Sequence, residues 1–513
     1  MKGSNLNNYI KTYGWQGAAF ILRFASMFIV APFLTPNPSL YGIYAICISV
    51  SVYLNYADFG FLSSCEKYAA ESIAQASREK EMEFIGFGGF ILCCVIPFFS
   101  VMFLIFSIWP EQLISGLDSE AKRQTASHMF LILALFTPAT AIQRTLSMLY
   151  SIRLESFVLQ RISLVSSFLT IAAVPLLFRN GNYRIVEYFL LSQLLSLAAY
   201  LIGVLIAKKR YQYDMIALLR NIKFTKSTFS KTRELAFSGV YLTITWIVFF
   251  ELDQVAIAKF VGVDKVALYT ISITFLTLFR NIFSILFSPF NVRANHFVGV
   301  GDQEGLKRFV AKILVLTGPI VLISTVTFSL YSKSFILTWV GEKYRESIWP
   351  AHLLALYFSF SFLSYVASMI QLANERIKVM NSIGTINPLF FWAGVLLTYQ
   401  SLGLVSFALF KLITALLIQF FCAYFIAKFF QISLPVFARK YIVPILLPLT
   451  VSVAISSILT HYLPVEKSKS HLLLVVSCIS LTMLISWAAH YFASASFRNE
   501  AKELFVRKTH APN

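Results

Sequence analysis

Charge is what this chain of 513 residues has least of. Asp, Glu, Lys and Arg make up 13% of it, about half the share of a soluble globular protein, while 58% of the residues are hydrophobic. With a mean hydropathy of +0.71, these proportions exclude an ordinary soluble protein. Acidic residues are scarcest, 24 against 43 basic ones. The resulting net charge of +19 reads first as a topology signal, because Lys and Arg are retained on the cytoplasmic side of a membrane. No nucleic-acid partner is inferred from it.

Chemistry-bearing clusters are missing too. The six cysteines, Cys47, Cys65, Cys93, Cys94, Cys422 and Cys478, lie in or beside apolar runs without the paired spacing of a zinc site or a disulfide framework, so they read as small core hydrophobes. The histidines are scattered, with no metal-ligand spacing, and no metal is expected. No GxxxxGK[ST] occurs. Gly86, Gly88 and Gly89 sit inside an apolar span with no strand before them, which points to close helix packing rather than a nucleotide loop. Nothing supports an enzyme or a cofactor. No small-residue cleavage site follows a short N-terminal apolar stretch, so the run beginning near Gly14 is expected to be a permanent span.

What the chain does have is long apolar runs. A spanning helix takes about 20 apolar residues, and such segments fall near 14–34, 40–63, 84–108, 127–150, 157–178 and 186–206. A basic stretch follows. Six more lie near 236–260, 266–290, 311–331, 349–372, 379–398 and 403–427, and two near 441–460 and 471–494. The expected protein is an all-α integral membrane protein of about fourteen transmembrane helices. Its expected parts are a six-helix lobe over 1–207, a basic cytoplasmic linker over 208–235, a second six-helix lobe over 236–428, two additional helices over 429–495 and a tail over 496–513. Basic residues alternate between loops so that both termini face the cytoplasm. The linker interleaves Tyr211, Ile216, Leu219 and Phe224 with Lys and Arg, the pattern of an amphipathic segment on an anionic inner leaflet.

A short internal repeat supports two related halves. APFLTPNPSLYGIYAI from Ala31 resembles AKFVGVDKVALYTIS from Ala258 with one residue gapped. Each copy ends one span and begins the next, six spans apart, so the repeat is parallel, as in transporters whose halves rock about a central site.

The layout of six, six and two spans, LYGIYAICISVSVYLNYADFGFLSSCEKYAAE from Leu40 and DQVAIAKFVGVDKVALYTIS from Asp253 together resemble the oligosaccharide flippases (Wzx-like, moving O-antigen repeat units) of the polysaccharide transporter family. That family lies within the multidrug/oligosaccharidyl-lipid/polysaccharide (MOP) exporter superfamily. Asp58 and Gly60, closing the second span, are similar to its pattern, as is Asp253 ahead of an apolar run and Phe-Val-Gly. The resemblance implies a flippase for an undecaprenyl-diphosphate-linked oligosaccharide, working by alternating access in the inner membrane of a bacterium in the biosynthesis of lipopolysaccharide and similar surface polysaccharides. It implies as partners the lipid-diphosphate-linked oligosaccharide, membrane lipids, a coupling H+ or Na+, and polysaccharide polymerase and chain-length proteins. A peptidoglycan-precursor flippase and a cation-coupled multidrug exporter of the same superfamily are the alternatives.

Charges inside spans cost about 2.5–3.5 kcal/mol each on insertion scales, so they mark a cavity or a partner. Counting along the helices puts Arg23 and Lys411 near the midplane, Arg280 past it toward the cytoplasm, and Arg144 and Arg161 near the cytoplasmic mouth. A diphosphate brings about two negative charges into low dielectric, where a guanidinium fork suits it. Arg23, Arg280 and Lys411 are therefore candidates for a central anion site and Arg144 and Arg161 for its entrance, with snorkelling or pairing within the bundle as the other reading. Glu251 and Asp253, in the outward half of the seventh span, are candidates for the coupling ion or for pairing with cavity arginines. Asp58 is read as orienting the chain where the second span ends.

Overall fold

The computed structural model describes residues 2–75, 77–179, 183–374 and 377–506. Every regular element among them is helical. Helix contacts divide the chain into two compact units, Met1–Ala267 and Leu268–Asn513.

In the first unit, α1 (Lys2–Leu34), α2 (Pro38–Val52), α3 (Phe61–Ala74), α4 (Arg78–Ile108), α5 (Glu120–Ser151), α6 (Phe157–Leu177) and α7 (Ile185–Tyr211) are followed by α8 (Met215–Arg220), α9 (Lys226–Trp246) and α10 (Leu252–Phe260). α11 (Val263–Gly299) begins in this unit. Pro38 pre-sets the first turn of α2, and the Asn37 side chain accepts a hydrogen bond from the Leu40 amide at 3.2 Å, which caps that end. The other end of this span stops at Tyr56 rather than near residue 63. There Phe59 (φ 48°) and Gly60 (φ 76°) take left-handed backbone and turn the chain into polar α3. The seventh span is interrupted as well, by a π-helical turn over Ile247–Glu251.

The second unit carries α12 (Gln303–Leu330), α13 (Ser332–Trp339), α14 (Ile348–Leu356), α15 (Ser361–Ala373), α16 (Ile377–Leu402), α17 (Leu404–Phe429), α18 (Leu434–Tyr441), α19 (Val443–Tyr462), α20 (Lys469–Ala493) and α21 (Ala495–Val506). α19 and α20 pack on each other and on α12. Their seam carries hydroxylated residues beside an apolar cluster: Thr327 and Ser452 share a hydrogen bond at 2.5 Å, as do Tyr331 and Thr482 at 2.9 Å. All four are buried, with Ser456 and Ser486 beside them. Small residues let helices approach closely where lipid offers no hydrophobic drive.

Twelve helices among the described residues are long and apolar enough to cross a membrane, thirteen if the pair Glu342–Leu356 and Ser361–Ala373, bent by 41°, is one span. With α16, 26 residues long, helices coincide with each of the fourteen segments expected. Their outer faces are greasy: Leu176, Leu205, Phe98 and Leu397 are all exposed, as a protein sheathed in lipid requires and a water-soluble one avoids. The chain is a multi-pass membrane protein. Pro32, Pro97, Pro138, Pro175, Pro319, Pro388 and Pro448 lie inside helices, tolerated where neighbours satisfy the freed carbonyls. Cys47, Cys65 and Cys422 are buried, but Cys93 and Cys94 lie on the exposed face of α4, so the expectation of core cysteines fails for those two.

Gly86 and Gly89 serve packing, though against the linker more than another span. A Cβ on Gly86 would come within 2.2 Å of the Asn221 carbonyl oxygen, and one on Gly89 would touch Ile222 at 3.5 Å. Gly88 faces Met148. The linker is thus seated on α4, while Ile216, Leu219 and Phe224 stay exposed. The two copies of the repeat also meet, since a Cβ on Gly42 would reach the Val263 carbonyl oxygen at 2.2 Å.

Candidate functional site

Of the residues singled out by sequence, the structure joins Asp58 and Arg144. The turn that ends the second span buries Asp58, whose Oδ2 accepts from the Leu62 amide at 3.1 Å in the first turn of α3. Its Oδ1 receives the Arg144 guanidinium from α5, which also donates to the Asn55 carbonyl. One carboxylate therefore both caps a helix and neutralises a cation, a charge-assisted arrangement stronger than a neutral one. Beyond the span, burial holds the Glu66 carboxyl on α3 above the ordinary carboxylate range, with Arg144 opposing and Asp58 adding to the rise.

Arg161, on α6, is exposed and lies over the Trp15 ring of α1 at 5.1 Å from the centroid. Arg23 belongs to α1, but its side chain lies outside the described residues. Glu251 closes the π-helical turn, and its backbone oxygen accepts from the Tyr53 hydroxyl at 3.0 Å. Asp253, fully buried two residues later, lies in the first turn of α10. Side chains two apart do not share a face of a regular helix, and the π turn alters that register where single π turns tend to mark functional positions.

In the second unit Lys411 is fully buried on α17, with its ammonium 4.4 Å from the centroid of the Phe391 ring of α16. A desolvated cation over an aromatic face gains about 2 kcal/mol or more, which offsets part of its cost in a dry site. Arg280 is half-buried on α11, within electrostatic reach of the Tyr365 phenol of α15.

Sequence reasoning missed a cluster at the basic ends of the first unit. Buried Glu81 takes Arg78 and Arg153, and the Tyr213 hydroxyl donates to it. Glu155 takes Arg210 at 2.8 Å and the Tyr211 hydroxyl. Burial and the bond to Glu81 push the Tyr213 phenol upward. The basic residues that mark topology in the sequence therefore also bind three loops together through two acids. Pairings across 132 and 72 residues leave no local signal.

The first unit carries two adjoining, partly open cavities of about 240 and 260 Å3, both touching Gln143 and Tyr200. Asn55, Thr140 and Gln193 line the first, and Gln160 and Ser163 the second. The second unit holds an apolar groove of about 500 Å3 between α15, α16 and α17, walled by Ile386, Phe390, Leu417 and Phe421. Among the described residues no three His, Cys, Asp or Glu side chains come together as a metal would need.

No protein-family profile matches the chain, and no curated protein matches it in sequence. Solved structures do match it in shape. The lipid II flippase MurJ in an inward closed conformation superposes with a TM-score of 0.65 at 13% identity, over 95% of this chain and 99% of that one. An inward-facing MATE-family multidrug resistance transporter of the MOP superfamily reaches 0.61 at 11% identity, over 81% of this chain and 96% of that one. The fold is that of the MOP-superfamily transporters. A eukaryotic MATE transporter agrees, at 0.56 and 16% identity over 85% and 98%. Such identities speak for the fold.

Proposed function

We propose that this protein is a flippase that carries an undecaprenyl-diphosphate-linked oligosaccharide from the inner to the outer leaflet by alternating access. The observation that carries the reading is full-length likeness to a lipid flippase, 95% of this chain on 99% of MurJ, in a chain whose embedded charges are mainly cationic. The MATE likenesses stop at 81% and 85% of this chain. The remainder is comparable in length to the stretch from Leu434 on, which adds α19 and α20. Cationic drugs call for acids in the first spans; α1 offers Arg23 there and no acid.

In this reading Arg23, Arg280 and Lys411 hold the diphosphate, Arg161 stands at the entrance, and Arg144 guides the head group or keeps Asp58 neutralised. The buried Asp253 and the neighbouring Glu251 take the coupling H+ or Na+, since a carboxylate in a dry site can load and release one. The lobes over 1–207 and 236–428 rock, and both termini lie in the cytoplasm of a bacterium. Polysaccharide polymerase and chain-length proteins receive the product. The test is a deletion strain whose lipids are read by mass spectrometry. Accumulation of a diphosphate-linked oligosaccharide, with loss of surface polysaccharide and reversal by the intact gene, supports the reading. Unchanged surface polysaccharide with raised sensitivity to cationic compounds moves it to drug export. Arg23→Ala and Arg280→Ala should each abolish reversal at normal membrane levels, and full reversal by both rejects the anion site.

The similarity to MurJ favours a second reading, in which the cargo is the peptidoglycan precursor lipid II. Depletion would then accumulate that lipid and stop growth.

A further inference from the structure

The two cavities of the first unit are uncharged, the first mainly polar and the second of mixed lining. Carboxamides enter them from four helical segments: Asn55 at the end of the second span, Gln143 from α5, Gln160 from α6 and Gln193 from α7. No Asp, Glu, Lys or Arg lines either one. Among the described residues the side chains of Asn55, Gln143 and Gln193 make no hydrogen bond, and the Gln160 Oε1 is a buried acceptor with no donor. Several hydroxyls on the walls, those of Ser51, Thr137 and Ser196, donate to carbonyls of their own helices, which leaves their oxygens as acceptors.

A carboxamide offers two N–H donors and a carbonyl acceptor, and the buried, undonated Gln160 Oε1 costs on the order of 1–3 kcal/mol; Asn55, Gln143 and Gln193 are more open and present their amides to the cavity space. Four in adjoining cavities call for a ligand that donates and accepts in alternation. An alkali cation is ill served, because no carboxylate balances its charge in low dielectric. An anion is ill served for the opposite reason, since the nearby Arg144 is already engaged by Asp58. Neighbouring hydroxyls on a sugar ring fit: one donates to the amide oxygen while the next accepts from the amide nitrogen. Phe136 and Tyr200 add aromatic faces for the C–H side of such a ring. At ~30 Å3 per water, cavities of 240 and 260 Å3 each hold about eight waters, the scale of one monosaccharide.

We infer that the first unit contains a sugar subsite of its own, in which Gln143, at the junction of the two cavities, and Gln160 and Gln193 on either side read the hydroxyls of the cargo's glycan. The inference rests on the flippase reading and adds to it that part of the sugar specificity resides inside one unit. A site built to hydrogen-bond hydroxyls rejects ligands lacking them far more strongly than an apolar pocket discriminates shape.

The experiment uses the full-length protein in nanodiscs, with the soluble oligosaccharide released by mild acid from the lipid that accumulates in the deletion strain. Gln143→Met and Gln193→Met keep side-chain volume while removing the amides, and Ser494→Ala, which lines neither cavity, serves as a control. The expected result is oligosaccharide binding at least about tenfold weaker in each Met variant, unchanged in the control, with the lipid-linked oligosaccharide accumulating in cells despite normal membrane levels. Equal binding by wild type and both variants, or complete reversal of accumulation by both, overturns the subsite and leaves the flippase reading intact. If one variant fails to fold, the other decides alone, and Gln160→Met replaces the lost one. A deletion strain that accumulates no lipid-linked oligosaccharide rejects the flippase reading, and the subsite with it, before any variant is made.

Discussion

Carboxamides and hydroxyls line one cavity of the first unit and share the other with Ala19, Leu22, Leu159 and Leu164, whereas the groove in the second unit is walled by Ile386, Phe390, Leu417 and Phe421, with Gln371, Ser382 and Thr414 as its few polar groups. The embedded cations differ in the same way. Arg144 in the first unit is matched by a buried carboxylate, and Lys411 in the second rests over an aromatic ring. The two units thus hold voids of different character.

The contrast makes unequal demands on the two cations. Asp58→Ala leaves the Arg144 guanidinium without its acid and α3 without its cap. Removing one partner of a buried pair costs about 3–5 kcal/mol, and the lower end is expected because 21% of the Arg144 side chain is exposed. The double variant Asp58→Asn with Arg144→Gln should recover most of the lost melting temperature in detergent. Recovery of transport as well would make the pair structural, and a folded but inactive double variant would keep Arg144 in the substrate path. Lys411→Met removes a buried cation from above the Phe391 ring and should abolish transport with a smaller fall in melting temperature than Asp58→Ala. A large fall in stability would show that Lys411 holds the second unit together.

Smaller effects sharpen the picture of the first unit. Gly86→Val drives a branched side chain into the Asn221 backbone and should cost about 1–3 kcal/mol, with proteolysis of the linker rising while helical content stays. Uncleaved linker would mean the seat on α4 has no energetic weight. The smallest effect is expected at Glu66. Burial raises its carboxyl in the folded chain, so stability is fullest below the ordinary carboxylate range and declines as pH climbs through the raised value. Glu66→Gln should therefore melt slightly higher than wild type at about pH 8 and equally at about pH 4, and a reversed order would contradict the cause given.

Much of this architecture is legible in the sequence, because a run of about 20 apolar residues has few other fates. All fourteen expected segments coincide with helices. The end of the second span is less legible. Nothing in LNYADFG announces left-handed Phe59, whose conformation is imposed by the capping and pairing of Asp58 across 86 residues. The cavity residues were harder still to see. Gln143, Gln160 and Gln193 are single polar residues in three separate apolar helices, and helical periodicity gives the face of each but not their convergence. The cations stand out in the sequence because charge is rare there; neutral amides do not.

The hydroxyl seam between α12 and the last two helices has a consequence for how the chain is made. Thr327 and Ser452 are 125 residues apart, so at about 5–20 residues per second the threonine is synthesised roughly 6–25 s before its partner. During that interval α12 already lies in lipid. A carboxylate or an amide would wait there at great cost, but a serine or threonine can turn back on its own helix and bond the carbonyl four residues earlier, as Thr325 does with Val321. Tyr331 apart, the seam's hydroxyls belong to side chains that can idle in a bilayer and re-pair when their partners arrive.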